Sequence, residues 1–371
     1  MTDRGAAGAV AAAPRSTIPP ADIAILGPAR FPVAAPFAGG MEMHTWTLAD
    51  ELTARGHDVT VYAAAGEGRF RTQRMLPVVC NADADMRRDV MGGLDVELSE
   101  QRSYRDAMLK LAVAHHDIVH VNAVHHLPFA CSAMLSGAVS GTLHTPPDVW
   151  LAAAVHAAVG GVAPIRLASV SATNARAWEP LVKGIRVIRN GVDLHTWRAG
   201  DGGGGAIWSG RLVAEKAPHL AIDAARLAGV PLRLLGPIHD AAYFRRFVEP
   251  RLGGGVEYLG HVGLPELAAE VGAASVALVT PAWDEPFGLV VAEALACGTP
   301  VAGFARGALP ELVDAATGVL VPADDVWGLA LALHSAAALD RRECRARAEW
   351  LFSVDDMIDG YEAMFAELLV G

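Results

Sequence analysis

Residues 199–205 read Ala-Gly-Asp-Gly-Gly-Gly-Gly, and they separate two stretches of chain with the same repeating pattern. A run so rich in glycine cannot hold a regular element, so we interpret it as a linker. On both sides of it, short apolar runs alternate with amphipathic segments, which predicts parallel sheets covered by helices. Strands are predicted at residues 22–26, 58–63, 117–122, 139–144, 167–170, 186–188, 206–209, 232–235, 256–259, 276–280 and 300–302. The fold class predicted is α/β, with two Rossmann-like, doubly wound domains that face a central cleft.

The domain boundaries follow from changes in composition. Residues 1–20 are rich in Ala, Gly and Pro and are predicted to be a disordered leader. Residues 21–198 form the first predicted domain and residues 206–350 the second, and an acidic amphipathic helix is predicted within residues 351–371. Ligands of doubly wound sheets bind beyond the carboxyl ends of the strands, so the cleft between the domains is the expected site.

Charge and cysteine content exclude several classes of protein. The net charge is −11 with a pI near 5.7, which provides no basic surface for nucleic acid. No apolar run reaches the roughly 20 residues of a membrane span. The four cysteines, Cys80, Cys131, Cys297 and Cys344, form no CxxC and are expected to be reduced thiols of a cytoplasmic enzyme. Residues 69–74, RFRTQR, could touch a membrane surface, but a solvated loop is the favoured interpretation.

The segment DEPFGLVVAE, residues 284–293, follows a predicted strand and opens a helix near Gly288. A helix N-terminus presents unpaired N–H groups that suit a phosphate. Glu293 lies in the helix, where a carboxylate can accept hydrogen bonds from a ribose diol, and Glu285 can accept bonds from sugar hydroxyls. On spacing alone, ordinary helix charges explain both glutamates equally well.

A second motif, SGRLVAEK at residues 209–216, follows the first strand of the second domain. Arg211 and Lys216 could clamp a diphosphate and stabilise it as a leaving group. Taken alone, the pair is more often two solvated surface cations. Lys216 is one of only three lysines, with Lys110 and Lys183, which is a weak hint that an ammonium is needed there.

Glycines and histidines mark the other predicted strand ends. Gly39-Gly40 precedes the helix predicted at residues 41–55, and His144 ends a strand. His125 and His126 follow another strand and are tentative acceptor contacts, as is Glu42, whereas His120 is expected to pack within the sheet. The histidine spacings match no zinc pattern, so no metal site is predicted.

Taken together, these motifs resemble the family 4 retaining glycosyltransferases of GT-B fold. The resemblance covers nearly the whole chain after residue 20, and the combined series is highly specific. It rests on GGME at residues 39–42, RGHDV at 55–59, NGVD at 190–193, GRL with Lys216, YLG at 258–260, EPFGLV at 285–290, CGTPV at 297–301 and PELV at 310–313.

The resemblance implies a role for each matching residue. Arg211 and Lys216 match the diphosphate-binding pair, Glu293 the ribose carboxylate and Glu285 the carboxylate that holds the donor sugar. His144 matches the cleft histidine near the anomeric carbon, and His144, Arg211, Lys216 and Glu285 form the expected catalytic set. The expected donor-binding set is Gly39, Gly40, Arg211, Lys216, Val262, Glu285, Phe287, Gly288, Leu289, Val290 and Glu293.

The family pattern also implies the reaction. It implies a metal-independent hexosyltransferase that retains anomeric configuration and needs no cofactor beyond a nucleotide-sugar co-substrate, with UDP the favoured nucleotide. The acceptor is expected to be a small molecule or a lipid, and the C-terminal helix is expected to return to the first domain.

The chain departs from the family at two points: it has Gly307-Ala308 where Gly-Gly is common, and Ala217 follows Lys216 where Gly is common. The first departure puts the identity of the donor sugar in doubt.

Three alternatives stay open. Another GT-B enzyme, such as a sugar-nucleotide epimerase or a disaccharide phosphorylase, would share these motifs. A non-catalytic partner that binds the nucleotide sugar is disfavoured because all four charged site residues are present. A NAD-dependent oxidoreductase is disfavoured because G-x-G-x-x-G is missing after the first strand, which is followed by Gly27-Pro28-Ala29-Arg30.

Overall fold

The computed structural model describes residues 16–78, 94–161 and 165–370, which form two α/β domains. The first domain is a seven-stranded parallel sheet of order β3-β2-β1-β4-β5-β6-β7 with helices on both faces. Its elements are β1 (Asp22–Leu26), α1 (Gly40–Ala54), β2 (Asp58–Ala63), β3 (Arg71–Arg74), α2 (Leu94–Val113), β4 (Ile118–Val121), α3 (His126–Ala130), β5 (Ala138–Leu143), α4 (Val149–Val159), β6 (Ile165–Ser169), α5 (Ala172–Trp178) and β7 (Arg186–Val187).

The second domain is a six-stranded parallel sheet of order β10-β9-β8-β11-β12-β13. Its elements are β8 (Ala206–Ser209), α6 (Pro218–Ala228), β9 (Leu232–Leu235), α7 (Ala241–Tyr243), β10 (Val256–Gly260), α8 (Leu264–Ala273), β11 (Val276–Val279), α9 (Leu289–Ala296), β12 (Val301–Phe304), α10 (Leu309–Leu312), β13 (Gly318–Val321), α11 (Val326–Ala337) and α12 (Arg341–Leu351). A last helix, α13 (Val354–Val370), packs against α1, β4 and β5 of the first domain.

The order of the strands in each sheet determines where a ligand site can form. In each sheet the chain first adds strands on one side of the initial strand and then crosses to its other side, so the order reverses between β1 and β4 and between β8 and β11. Loops that leave neighbouring strands at such a reversal diverge and open a crevice at the carboxyl ends. The motif loops follow β1, β4, β8 and β11, so both crevices face the same interdomain cleft.

The central strands are buried on both faces, which is why they could be predicted from apolar runs in the sequence. Residues Ile23, Ala24, Ile25 and Leu26 of β1 are fully buried, as expected for a strand covered on both faces. The strand β3 was missed, and the favoured prediction of a solvated loop at residues 69–74 is wrong. This edge strand reads RTQR, is largely exposed and therefore carries no apolar signal. Its neighbour Phe70 is buried, so the aromatic ring is not available to enter a membrane.

The disordered leader was predicted to extend to residue 20, but residues 16–20 are ordered in the structure. The backbone N–H and hydroxyl of Thr17 donate hydrogen bonds of 2.9 and 2.8 Å to Glu362 on α13, and Ser16 contacts His57 at 3.1 Å. Residues 16–20 are thus fixed by a long-range contact that local composition does not encode. The rest of the predicted leader, residues 1–15, lies outside the described residues.

The predicted linker and three of the four cysteines lie within the described residues. Residues 199–205 contain no helix or strand, and the backbone N–H groups of Gly202 and Gly204 donate hydrogen bonds to the carbonyls of Gly272 and Ala273 at the end of α8. Cys131, Cys297 and Cys344 are free thiols, whereas Cys80 lies outside the described residues. In the part of the chain that the structure describes, no helix has the length and apolarity needed to cross a membrane.

Candidate active site

A cavity of about 450 Å³ lies between the two domains, where the carboxyl ends of both sheets meet. It brings together all the residues that were predicted as catalytic or donor-binding: Gly39, Gly40, His144, Arg211, Lys216, Val262, Glu285, Phe287, Gly288, Leu289, Val290 and Glu293. The segments that supply them are far apart in sequence, and only the closure of the two domains makes them neighbours.

The carboxylate of Glu285 is held by two partners. Lys216 Nζ and Trp283 Nε1 both donate to Glu285 Oε2, the latter at 3.0 Å, and the Lys216 ammonium lies 5.6 Å from the centre of the Trp283 ring. Lys216 is therefore paired with an anion in this structure. A bound diphosphate would compete with Glu285 for the ammonium.

The backbone of Glu285 is fixed by the segment that departs from the family pattern. Ala308 N donates a 2.8 Å hydrogen bond to Glu285 O, and a Cβ on Gly307 would come within 2.2 Å of that oxygen. Gly307 also has a φ of +59°, so only glycine fits here. Ala308 itself has φ −81° and a buried methyl group, which explains why glycine is dispensable at the second position.

Arg211 lies on the loop after β8 and is partly exposed. Its Nη2 donates to Glu215 Oε1 at 2.7 Å, a surface pair that constrains it weakly. The turn that carries Lys216 ends at Ala217, whose φ of 45° and ψ of 51° are left-handed. This is the position where the family commonly has glycine, so the chain keeps the turn despite a strained alanine.

Glu293 is a buried carboxyl group without a hydrogen-bond partner among the described residues. It lies in the second turn of α9, and its exposed fraction is 6%. Burial raises its pKa to about 7. Because Glu293 lines the cavity, its carboxyl oxygens are available to accept hydrogen bonds from a ligand hydroxyl.

Two glycines let backbone approach the cavity closely. Gly288, at φ +97°, precedes α9, so the first N–H groups of that helix face the cavity edge. From the other domain, Gly40 comes so close to Leu289 that an added Cβ would lie 2.8 Å from its Cδ1. The two domains thus approach each other closely beside a helix N-terminus, which is suited to bind a phosphate.

The orientation of His144 is set by Asn122, which follows β4. His144 Nε2 lies 2.6 Å from Asn122 Oδ1. The amide of Asn122 in turn donates to Thr45 Oγ1 at 2.9 Å and to His44 Nδ1 at 3.1 Å. The Thr45 hydroxyl donates to Met41 O at 2.7 Å, so it can only accept from Asn122.

These donor and acceptor assignments determine which nitrogen of His144 carries the proton. Because Asn122 must present Nδ2 to Thr45, its Oδ1 faces His144, and Nε2 of His144 must carry the hydrogen. Burial, reinforced by the neighbouring His44 and His120, holds the pKa of His144 well below its usual range, so the ring is neutral. Nδ1 is then a hydrogen-bond acceptor, suited to a substrate hydroxyl.

The same chain of hydrogen bonds continues to the C-terminal helix. His44 Nε2 lies 3.2 Å from the Tyr361 hydroxyl, which lies 2.9 Å from Thr142 Oγ1, and Thr142 lies 3.1 Å from His120 Nε2. Burial lowers the pKa of His44 to about 4 and that of His120 to about 3. His120 is fully buried within the sheet, as predicted.

The three tentative acceptor residues are not part of this cavity. His125 and His126 line a second cavity beside it. Glu42 is buried behind the Gly39 loop and lines neither cavity, and burial, opposed by a backbone hydrogen bond and by Arg211, raises its pKa. Its predicted contact with an acceptor therefore finds no support in the geometry, because helix α1 turns this side chain inward.

Within residues 16–78, 94–161 and 165–370, no group of three or more His, Cys, Asp or Glu side chains is placed to hold a metal ion.

Sequence reasoning missed Asn122, His44 and Trp283. Asn122 and Trp283 both lie just after a strand, at the edge where site residues concentrate, which is a signal that could have identified them. His44 lies inside α1 and carries no such signal.

Two parallel α/β domains around a cleft with these residues define a glycosyltransferase of GT-B fold. Residues 38–196 match the family model described as Glycosyltransferase Family 4, and residues 205–338 match the model described as Glycosyl transferases group 1. The chain belongs to glycosyltransferase family 4.

Individual relatives are consistent with this family. Glycogen synthase of Mycobacterium tuberculosis strain H37Rv is 29% identical over 83% of this chain and 86% of its own. The fold is similar to that of AviGT4, a glycosyltransferase of avilamycin A biosynthesis, with a TM-score of 0.71, 22% identity and coverage of 95% and 99% of the two chains. Anabaena HepE, solved in complex with UDP-glucose, gives a TM-score of 0.69 at 18% identity, with 94% and 99% covered.

Proposed function

We propose that this glycosyltransferase moves a hexosyl group from a UDP-sugar to a small-molecule or lipid acceptor, with retention of anomeric configuration and without a metal ion. The observation that carries the proposal is the composition of one cavity. It combines two cations, Arg211 and Lys216, with the partnerless buried carboxyl group of Glu293.

The cations supply the charge that departure of a diphosphate requires. As the bond to the anomeric carbon breaks, negative charge grows on the leaving phosphate, and fixed cations in a partly buried site stabilise it. In other enzymes a divalent ion does this work. Here an arginine fork and a lysine point charge can do it, which supports the metal-independent mechanism.

The remaining groups account for the sugar and the acceptor. Glu285 can accept bonds from donor hydroxyls once Lys216 turns to the phosphate, and His144 Nδ1 can accept one more. For retention, the leaving phosphate oxygen would take the proton of the acceptor hydroxyl on the face from which it departs, as family membership suggests. UDP is favoured by the UDP-glucose complex of HepE.

The first test is ligand binding followed by product analysis. A thermal-shift screen of nucleotide sugars should select a UDP-sugar, which adds about 2.7 kcal/mol of stability at roughly 100 times its dissociation constant. Incubation with donor alone, with phosphate and with acceptors separates an epimerase, a phosphorylase and a transferase. The NMR coupling of the product's anomeric proton reports stereochemistry, and full activity in EDTA is expected.

The second test removes the cations. Lys216→Ala and Arg211→Ala should each raise the barrier by on the order of 2–4 kcal/mol, a loss of about 30- to 1000-fold in kcat. Lys183→Ala, an exposed lysine of the first domain, is the matched control and should turn over normally. Wild-type kcat in either cleft variant would refute the diphosphate role.

A further inference from the structure

A second cavity, of about 310 Å³, opens beside the candidate active site and is built by the first domain alone. It lies between α2, the loop from β4 to α3 and the start of α4, and Val124 lines both cavities. Two of its walls follow the carboxyl ends of β4 and β5, the edge where α/β sheets bind ligands. A molecule held there would adjoin the donor site.

One wall of this cavity carries the aromatic rings of His125, His126 and Trp150, and the buried ring of Tyr104 packs behind His125 to complete a row. The rings of Tyr104 and His125 stack at 4.4 Å, those of His125 and His126 at 4.5 Å, and Trp150 follows at 6.1 Å from His126. Trp150 is 71% exposed, which is a large apolar surface to leave in water. Such rings pack against the C–H faces of sugars and attract cations.

One member of this row, His125, is neutral and can donate a hydrogen bond. Burial, with the positive charges of His126 and Arg30, lowers the pKa of His125 to about 3. His125 Nδ1 accepts from Leu127 N at 3.2 Å, so its hydrogen lies on Nε2. His125 therefore brings no positive charge that would attract a phosphate.

The charged groups among the other lining residues are mainly acidic. Glu97, Glu100 and Asp148 line the cavity against the single cation Arg30. Arg30 donates from Nε and Nη2 to Glu100 Oε2, at 3.0 and 2.7 Å, so these two charges balance. Glu97 and Asp148 leave an excess of negative charge, which repels an anionic ligand and attracts a protonated amine.

We propose that this space, the acceptor cavity, binds a sugar or polyol acceptor that carries a protonated amine. The inference rests on the proposed transferase function and narrows its acceptor. Trp150 and His126, at the open end of the row, would stack on the ring of the acceptor. Glu97 and Asp148 would pair with its ammonium group, and a hydroxyl near Val124 would face the donor.

The test compares three probes of similar size: glucosamine, glucose and glucose 6-phosphate. Ligand-observed NMR titrations with UDP present should rank glucosamine first and glucose 6-phosphate last. The preference for glucosamine over glucose should weaken as salt is added. Glu97→Gln and Asp148→Asn should each weaken glucosamine binding about threefold and leave glucose binding unchanged.

The control variants distinguish a loss of ligand binding from a loss of folding. Asparagine can still cap α4 as Asp148 does through bonds to Trp150 N and Leu151 N, so that variant should fold. Glu343→Gln on α12, an exposed residue of the second domain, should change none of the titrations. Equal binding of glucosamine and glucose, tighter binding of the phosphate, or no binding of any probe would overturn the proposal. UDP binding by the same sample tests the transferase function separately.

Discussion

At the residue scale, the raised pKa of Glu293 leads us to predict that the binding of nucleotide depends on pH. Its pKa is raised to about 7 by burial, so below that pH a proton must leave before ribose hydroxyls can donate to an ionised carboxylate. UDP affinity should therefore increase from about pH 6 to about pH 8, by up to roughly tenfold in total.

Calorimetry with Glu293→Gln separates this effect from titration of the phosphate, which both proteins share. The variant should bind UDP more weakly and lose the part of the pH dependence that comes from Glu293.

The raised pKa of Glu293 also affects folding. Glu293 favours the folded state below its unfolded pKa, and this contribution to stability is lost as pH rises through about 7. Glu293→Gln should therefore unfold at higher urea than wild type at pH 8. An unchanged pH profile of UDP binding would contradict the assignment.

Asn122 is a second residue whose effect is predictable, because it determines which nitrogen of His144 is free. In Asn122→Asp, a carboxylate would face His144 Nε2 and raise the pKa of the ring. A protonated His144 cannot accept a hydroxyl, so kcat should fall at low pH and recover as pH rises, whereas wild type should show no such step from His144.

Asn122→Ala should lower kcat about tenfold or more at all pH values, since the tautomer is no longer held. Ser140→Ala, which removes only the last bond of the same buried chain, from His120 Nδ1 to Ser140 Oγ at 2.9 Å, is the matched control. It should reduce stability without adding a step to the pH profile. A similar profile in all three variants would show that Asn122 has a structural role only.

At the scale of elements, the docking of α13 depends on one buried carboxylate. Glu362 accepts bonds from Thr17, from Arg55 Nη1 at 3.1 Å and from His57 Nε2 at 3.1 Å. Burial alone would raise the pKa of Glu362, but hydrogen bonds from Thr17, Ser16 and His57 lower it to about 2. Glu362 thus stabilises the fold above its unfolded pKa, and this contribution is lost as pH falls from about 4.5 towards 2.

Glu362→Gln should cost about 3 kcal/mol at neutral pH, because Arg55 is left buried beside fewer charges. Urea unfolding should show the difference shrinking as the pH falls below about 4. Glu367→Gln removes a half-exposed carboxylate of the same helix that pairs with Arg166 and Arg186, and should cost less than about 1 kcal/mol. Equal costs for the two variants would mean that the buried network does not hold α13.

At the scale of the whole molecule, two contacts hold the domains together beside the site. Ser171 Oγ donates to Pro286 O at 2.6 Å, and the Glu311 carboxylate accepts from Ala172 N at 3.0 Å and Thr173 N at 2.7 Å. Glu311 thus lies on α10 of one domain and caps α5 of the other. The cap couples the segment next to Glu285 to the first domain.

Glu311→Ala should therefore lower kcat about fivefold, the effect of losing a cap worth roughly 1 kcal/mol, and should leave UDP affinity within about twofold of wild type. Steady-state kinetics and calorimetry measure the two quantities on the same sample. Glu343→Ala, on the outer surface of the second domain, should change neither. A loss of UDP affinity equal to the loss of kcat would place the effect within the donor site and not in domain closure.

The sequence by itself determined the two α/β domains, the family and the charged and glycine residues that were predicted for the interdomain cavity. These features depend on local pattern: buried strands are continuously apolar, and site loops follow strand ends. The edge strand β3 and the ordered residues 16–20 could not be predicted, because only a neighbouring strand and α13 stabilise them.

Only the tertiary structure decided which nitrogen of His144 is free, where Glu42 lies, and that His125 and His126 belong to a separate cavity. Each of these depends on partners more than 15 residues away, such as Tyr104 beside His125 or Asn122 beside His144. A motif specifies which side chains are present at a strand end. Hydrogen bonding and burial in the folded molecule decide their protonation and what they can contact.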